Sequence, residues 1–190
     1  MILCQSAKRV QEGLAEADQA IALDPLSPLP SWTREFCLVA AHRYDEAIAQ
    51  HKKTQDLDRN LFYADSYSGI AYRQKGMLNE SLAEYQRASQ IAGQPLPGMA
   101  VTFARMGRSA EARAILREIL DLSTRRYVAP EAAAIIYIAL GEKDQAFVWL
   151  DKALEARSAS LVYFIGMPQY DPVRADPRFV ALLGKIKPPR

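Results

Sequence analysis

The stretch Phe62–Pro95 reads FYADSYSGIAYRQKGMLNESLAEYQRASQIAGQP. Gly69 and Tyr72, then Gly76, then Ser81, Tyr85 and Ala88 form a two-helix pattern within it. Gly76 accepts the left-handed backbone that closes a helix, so a first helix is predicted from about Tyr63 to Lys75. Asn79 is a candidate capping side chain for the second helix. Leu82, Tyr85, Ala88 and Ser89 recur at helical spacing and make one face. Gly69 and Ser81 lack bulk, so the two helices can approach there, and Tyr72 and Tyr85 fill the space beside them. One such hairpin cannot bury its apolar face alone and requires neighbours.

Those neighbours are present in register. The small residue opening the second helix falls at Gly13, Ala47, Ser81, Ala112 and Ala146, in steps of 34, 34, 31 and 34. The later contact position falls at Ala20, Thr54, Ala88, Ile119 and Ala153, in the same steps. The turn glycines Gly76, Gly107 and Gly141 step by 31 and 34. Two helix positions and one turn position therefore keep a single period.

This period and pattern resemble the tetratricopeptide repeat (TPR) family. The resemblance implies an all-α, right-handed α-solenoid of helix hairpins forming a single domain. Its parts are a partial repeat (1–28), repeats at 29–61, 62–92, 93–126 and 127–158, and a capping segment (159–190). Val10 to Leu23 reads as a second helix stopped at Asp24-Pro25. The register leaves little room for the helix before it, so the chain is expected to start inside a repeat and to expose an open amino-terminal end. In the second repeat Ser31 is a candidate N-cap, and the turn His42-Arg43-Tyr44-Asp45 departs from the pattern by lacking glycine. The fourth repeat is three residues short, around Gly93 to Gly98. Ala132 to Leu140 is almost entirely apolar. Asp171-Pro172 and Asp176-Pro177 each place a candidate N-cap Asp before Pro, and Pro177 to Lys185 should cover the last hairpin with Phe179, Leu182, Leu183 and Ile186.

The carboxy-terminal third resembles a narrower group. Leu140-Gly141-Glu142-Lys143 and Asp176-Pro177-Arg178-Phe179 look like the end of TPR regions in bacterial multidomain signalling proteins. Those proteins carry a winged-helix regulator, a nucleotide cyclase or a kinase domain, none of which has a counterpart here.

Composition closes off other classes. With 24 basic and 22 acidic residues the net charge is +2, too small for a nucleic-acid stripe. No apolar run approaches the roughly 20 residues of a membrane helix, and Met1 to Cys4 is too short for a signal peptide. Cys4 and Cys37 have no metal or framework spacing and are expected as packing residues of a reducing, cytoplasmic compartment. His42 and His51 are nine apart with no HExxH spacing, so no metal site is expected. There is no phosphate-binding loop. Carboxylates such as Glu16, Asp18, Glu111 and Glu118 are spaced as solvated helix faces. No catalytic residue and no cofactor is expected, and the chain is not read as an enzyme.

Binding has better support. The TPR resemblance implies a concave face lined by the first helices, taking a peptide or protein segment. The matching positions are Trp32, Phe36, Tyr63, Tyr67, Ile70, Arg73, Gln74, Val101, Arg105 and Glu131. The basic and asparagine clamp of chaperone-binding TPRs is absent, because Trp32, Phe36, Tyr67 and Val101 stand there. An aromatic groove with two arginines suits an apolar segment with a nearby carboxylate. The alternative for each aromatic is filling between repeats. The alternative function is a homodimer pairing through the open amino-terminal end.

Overall fold

The computed structural model describes residues 10–186. Among the described residues there is no β-strand. Helix α1 (Val10–Leu23) precedes four hairpins: α2 (Pro28–Ala40) with α3 (Tyr44–Leu57), α4 (Phe62–Gln74) with α5 (Leu78–Ala92), α6 (Pro97–Arg105) with α7 (Ser109–Ser123), and α8 (Glu131–Ala139) with α9 (Lys143–Glu155). A short α10 (Ala159–Phe164), a 3-10 helix (Pro168–Val173) and α11 (Pro177–Lys185) follow. The fold class is the all-α helical-repeat solenoid that the 34-residue register predicts.

All four hairpins close in one way. Two residues beyond the first helix the backbone turns left-handed, at His42 (φ 58°), Gly76 (77°), Gly107 (76°) and Gly141 (80°). The Gly76 amide donates to the Arg73 carbonyl at 3.1 Å, and the Met77 amide to the Tyr72 carbonyl at 3.0 Å. His42 to Val39 (3.1 Å) and Arg43 to Leu38 (2.9 Å) repeat that pair. These bonds satisfy carbonyls orphaned at the helix end. His42 stands 34 residues before Gly76. The turn expected to depart from the pattern thus keeps the shared geometry, with a non-glycine residue in it.

The register positions are contact positions. Ala47, Ser81, Ala112 and Ala146 are buried, as are Thr54, Ala88, Ile119 and Ala153. Ser81 Oγ donates to the Gly69 carbonyl at 2.8 Å, joining α5 to α4. Three capping expectations are corrected. Ser31 lies inside α2, which begins at Pro28, and bonds Thr54 (2.9 Å) and Gln50 (2.7 Å) instead of a free amide. Asn79 follows the start of α5, whose N-cap is Met77. Asp171 lies within the 3-10 helix. At Ser31 and Asp171 proline located the start only to within a turn, because the first-turn amides have no intrahelical partner and tolerate its missing N–H.

Contacts divide the chain into two compact units, with the boundary between Gly98 and Met99 in the first turn of α6. In the first unit α2 packs on α1, α3 and α4, and α4 packs on α5 and α3. In the second, Ala146, Phe147, Leu150 and Ala153 of α9 meet Leu161, Tyr170, Val173, Phe179 and Leu182. Asp176 caps α11, accepting from the Arg178 amide at 3.0 Å. Of the expected covering face, Phe179 and Leu182 are buried and Ile186 is partly buried, whereas Leu183 is exposed, one helix position past the core-facing stripe. Cys37 is buried and disulfide-bonded, which corrects the expectation of a packing thiol and removes that ground for a reducing compartment; the same expectation for Cys4 falls outside the described residues. No described helix is long and apolar enough to cross a membrane.

Candidate functional site

Two features of the first unit can do chemistry or recognition: an aromatic patch on α2 and α4, and a buried charged cluster spanning four helices. The patch grades from core to solvent. Phe36 is fully buried and meets the Tyr67 ring edge-on at 5.1 Å between centroids. Tyr67 is buried and lies 6.0 Å from half-buried Trp32, which lies 5.5 Å from Tyr63. Tyr63 is 48% exposed and stacks on Phe62 at 3.9 Å. The Trp32 indole N–H is enclosed without a hydrogen-bond acceptor. An enclosed donor without a partner costs free energy.

The other positions assigned to a groove divide by burial. Ile70 is core. Arg73 is buried, donating to the Tyr85 hydroxyl at 3.3 Å and the Gly98 carbonyl at 3.2 Å, with its guanidinium 5.5 Å from the Tyr85 ring. It joins neighbouring elements instead of awaiting a carboxylate. Gln74 is half-buried at the end of α4. In the second unit Val101 is core and Arg105 is exposed. Glu131 is buried and accepts from Ser158 Oγ at 2.7 Å. Thus Phe36, Tyr67, Ile70, Arg73, Val101 and Glu131 pack between helices, and Trp32, Tyr63, Gln74 and Arg105 retain surface. A first-helix position in a stacked hairpin faces either a groove or the next helix, and a side chain's burial decides which.

The charged cluster draws Glu35 from α2, His51 from α3, Asp65 from α4, and Glu84 and Arg87 from α5. His51 stands 34 residues before Tyr85, and Glu35 stands 34 before Gly69. The pair that in the third repeat is a glycine against a tyrosine ring is here a carboxylate against an imidazole. Glu35 Oε1 lies 3.4 Å from His51 Nδ1, an ion-pair contact too long for a good hydrogen bond, and neither Glu35 oxygen has a hydrogen-bond partner. Glu84 Oε2 and Asp65 Oδ1 lie 3.4 and 3.6 Å from His51 Nε2. Arg87 Nε reaches Asp65 Oδ2 at 2.9 Å, and its Nη2 reaches Asp65 Oδ1 at 2.6 Å and Glu84 Oε2 at 2.5 Å.

Burial sets the proton affinities here. Desolvation pushes the Glu35 carboxyl up to about 7 against the lowering influence of His51. Desolvation also raises Asp65, opposed by Arg87. Desolvation alone would lower His51, but the Glu35 and Glu84 carboxylates outweigh it and push the imidazole up to about 9. The sequence reading of His51, made from its spacing to His42, did not reveal its company. The four partners lie 14 to 36 residues from it, and only the 34-residue relation to Gly69 and Tyr85 marks the pair.

Residues 132–160 match the family model of the tetratricopeptide repeat. No curated protein sequence matches the chain. Among solved structures, it is similar to YrrB, described as a TPR protein with an unusual peptide-binding site: TM-score 0.51, 16% identity, 89% of each chain covered. It is also similar to a chain in the structure of Naa15/Naa10 bound to HypK-THB: TM-score 0.50, 20% identity, 93% of this chain covered. The chain spans 28% of the length of that second relative. At these identities the likeness is one of fold.

Proposed function

We propose that this chain is a protein-interaction scaffold that takes a peptide or partner segment on the exposed edge of α2 and α4, with Trp32, Tyr63 and Gln74 as contacts. The observation that carries the reading is the aromatic gradient from buried Phe36 to exposed Tyr63. Tyr and Trp supply large contact area at low entropic cost, and a rigid hairpin loses little on binding. The peptide-binding description of YrrB and the HypK complex of Naa15/Naa10 support the same class of function. The preferred ligand is an apolar segment that packs on the Tyr63 and Trp32 rings, with a carboxylate nearby. In the second unit Arg105 is the exposed candidate. The resemblance of the last third supports a place in a bacterial signalling protein.

A peptide-display selection against the full chain tests the reading. Selected peptides should bind Trp32→Ala and Tyr63→Ala at least tenfold more weakly, with the thermal melt near normal. Equal binding by both variants would overturn the assignment.

A second reading, self-association near the amino-terminal end, is favoured by the exposed Leu23, Leu26 and Leu29 between α1 and α2. Leu26→Asp should then lower the solution mass in light scattering. An unchanged mass counts against it.

A further inference from the structure

The charged cluster has an unusual centre. Arg87 Nη2 is approached by Asp65 Oδ1 at 2.6 Å, Glu84 Oε2 at 2.5 Å and His51 Nε2 at 3.2 Å. The Gln55 amide, turned to satisfy its partners, brings its oxygen to the same place, where it accepts from Arg87 Nη1 at 2.6 Å and from His51 Nε2 at 2.8 Å. The guanidinium serves the two carboxylates through Nη2 and the Gln55 oxygen through Nη1. With His51 deprotonated at Nε2, the same groups place four electron-pair donors around one point, the arrangement that a spherical cation takes. The spacing of His51 from the two carboxylates agrees, while the Gln55 oxygen, at 2.8 Å, would draw back on binding. A tetrahedral ion with bonds of about 2.1 Å holds its ligand atoms about 3.4 Å apart, and His51 Nε2 is 3.4 Å from Glu84 Oε2 and 3.6 Å from Asp65 Oδ1. The three ligating groups offer atoms within 4.8 Å of one another.

Glu35 is the independent observation. It is fully buried, it faces His51 Nδ1, and neither of its oxygens has a hydrogen-bond partner. A buried carboxylate without a hydrogen bond is costly. A histidine that ligates a metal through one nitrogen commonly donates its other N–H to a carboxylate, which fixes the tautomer and ring orientation. Glu35 occupies that place. Charge agrees as well: once a metal displaces the His51 proton, Glu35, Asp65 and Glu84 face a single fixed positive charge, Arg87.

We propose that His51 Nε2, Asp65 and Glu84, with the Gln55 carbonyl oxygen, form a site for a divalent cation of the zinc class, oriented from behind by Glu35. Arg87 is the competing resident. Its side chain is 40% exposed, and it withdraws toward solvent when the metal enters. Imidazole with oxygen donors in a tetrahedral set favours zinc over magnesium, which demands octahedral oxygen coordination. The ion would tie α3, α4 and α5 together and make the packing of two successive hairpins depend on metal supply.

Calorimetric titration of zinc into the chelator-stripped, untagged full chain tests this, beside thermal melts with zinc and with magnesium. The expected result is one zinc per chain, a raised melting temperature with zinc, and no such rise with magnesium. Glu84→Gln should weaken zinc at least tenfold. Glu35→Gln, which touches no metal, should weaken it about 10–100-fold. Arg87→Met should tighten it by removing the competitor, an effect that zinc bound elsewhere would not show. No binding, binding unchanged in Glu84→Gln, or weaker binding in Arg87→Met would each overturn the proposal. Glu84 and Arg87 sit at the rim, so these variants remain informative if His51→Gln does not fold.

Discussion

The ring of Tyr85 occupies the space that a side chain on Gly69 would need: a Cβ at Gly69 would lie 2.7 Å from Tyr85 Cε2. The other edge of the same ring fills the place of a Cβ on Gly98. Tyr85 is therefore clamped between α4 and the first turn of α6 by two glycines. Gly69→Ala should cost about 1–3 kcal/mol, the usual range for overpacking. In Gly69→Ala/Tyr85→Leu the two effects should be less than additive, because the double variant removes the clash. Urea denaturation of the four-member cycle checks this. Strict additivity would mean that the ring moves aside freely.

The hairpin turns separate two kinds of residue at one conformation. Gly76 is left-handed with no atom near a would-be Cβ, so Gly76→Ala should cost about 1–2 kcal/mol from backbone strain alone. His42 already bears that strain at φ 58°. His42→Gly should cause no loss, and up to about 1 kcal/mol of gain, even though it removes the 2.7 Å contact to the Tyr44 hydroxyl. Comparable losses in both variants, read from melting curves, would show that the side-chain contact outweighs the backbone.

Leu150 lies at the centre of the second unit, fully buried among Phe147, Leu161 and Phe179. Leu150→Ala should destabilise by about 2–5 kcal/mol through lost burial and the cavity left behind. A loss below about 1 kcal/mol in chemical denaturation would mean that α10 and α11 collapse into the space.

Asp176 links helix capping to acidity. The Arg178 side chain, at 3.0–3.1 Å, and the Arg178 amide hold its carboxyl below the usual carboxylate range. A depressed native value stabilises the fold above the unfolded value near 3.8, and the contribution is lost as pH falls through the native value. Melts of the native chain and of Asp176→Asn should therefore converge as pH drops below about 4 and separate at neutral pH, with the variant the less stable. A constant gap across that range would show that the cap does not depend on the charge.

The Gly–Tyr and Glu–His pairs show where sequence reading ends. The two-helix pattern placed Tyr85 beside Gly69, because shape at a helix crossing is set by residues a fixed distance apart in one hairpin. Glu35 and His51 stand one 34-residue step earlier and also meet, but nothing local reveals that Asp65, Glu84 and Arg87 converge on them. The positions proposed to line a groove met the same limit. Phe36 and Tyr67 look like surface anchors in a list of first-helix residues, yet the neighbouring hairpin buries them.

By itself, the sequence determined the helices, their pairing and the period. Propensity, small-residue contacts and left-handed turns all act within one hairpin, over interactions a few residues to one repeat apart. The tertiary structure decided which side chains face solvent and which charges meet, because both depend on how one hairpin seats against the next. That seating removed Arg73 and Glu131 from the surface, left Trp32 and Tyr63 at an open edge, and gathered three carboxylates and an imidazole from four helices, with a guanidinium at their rim.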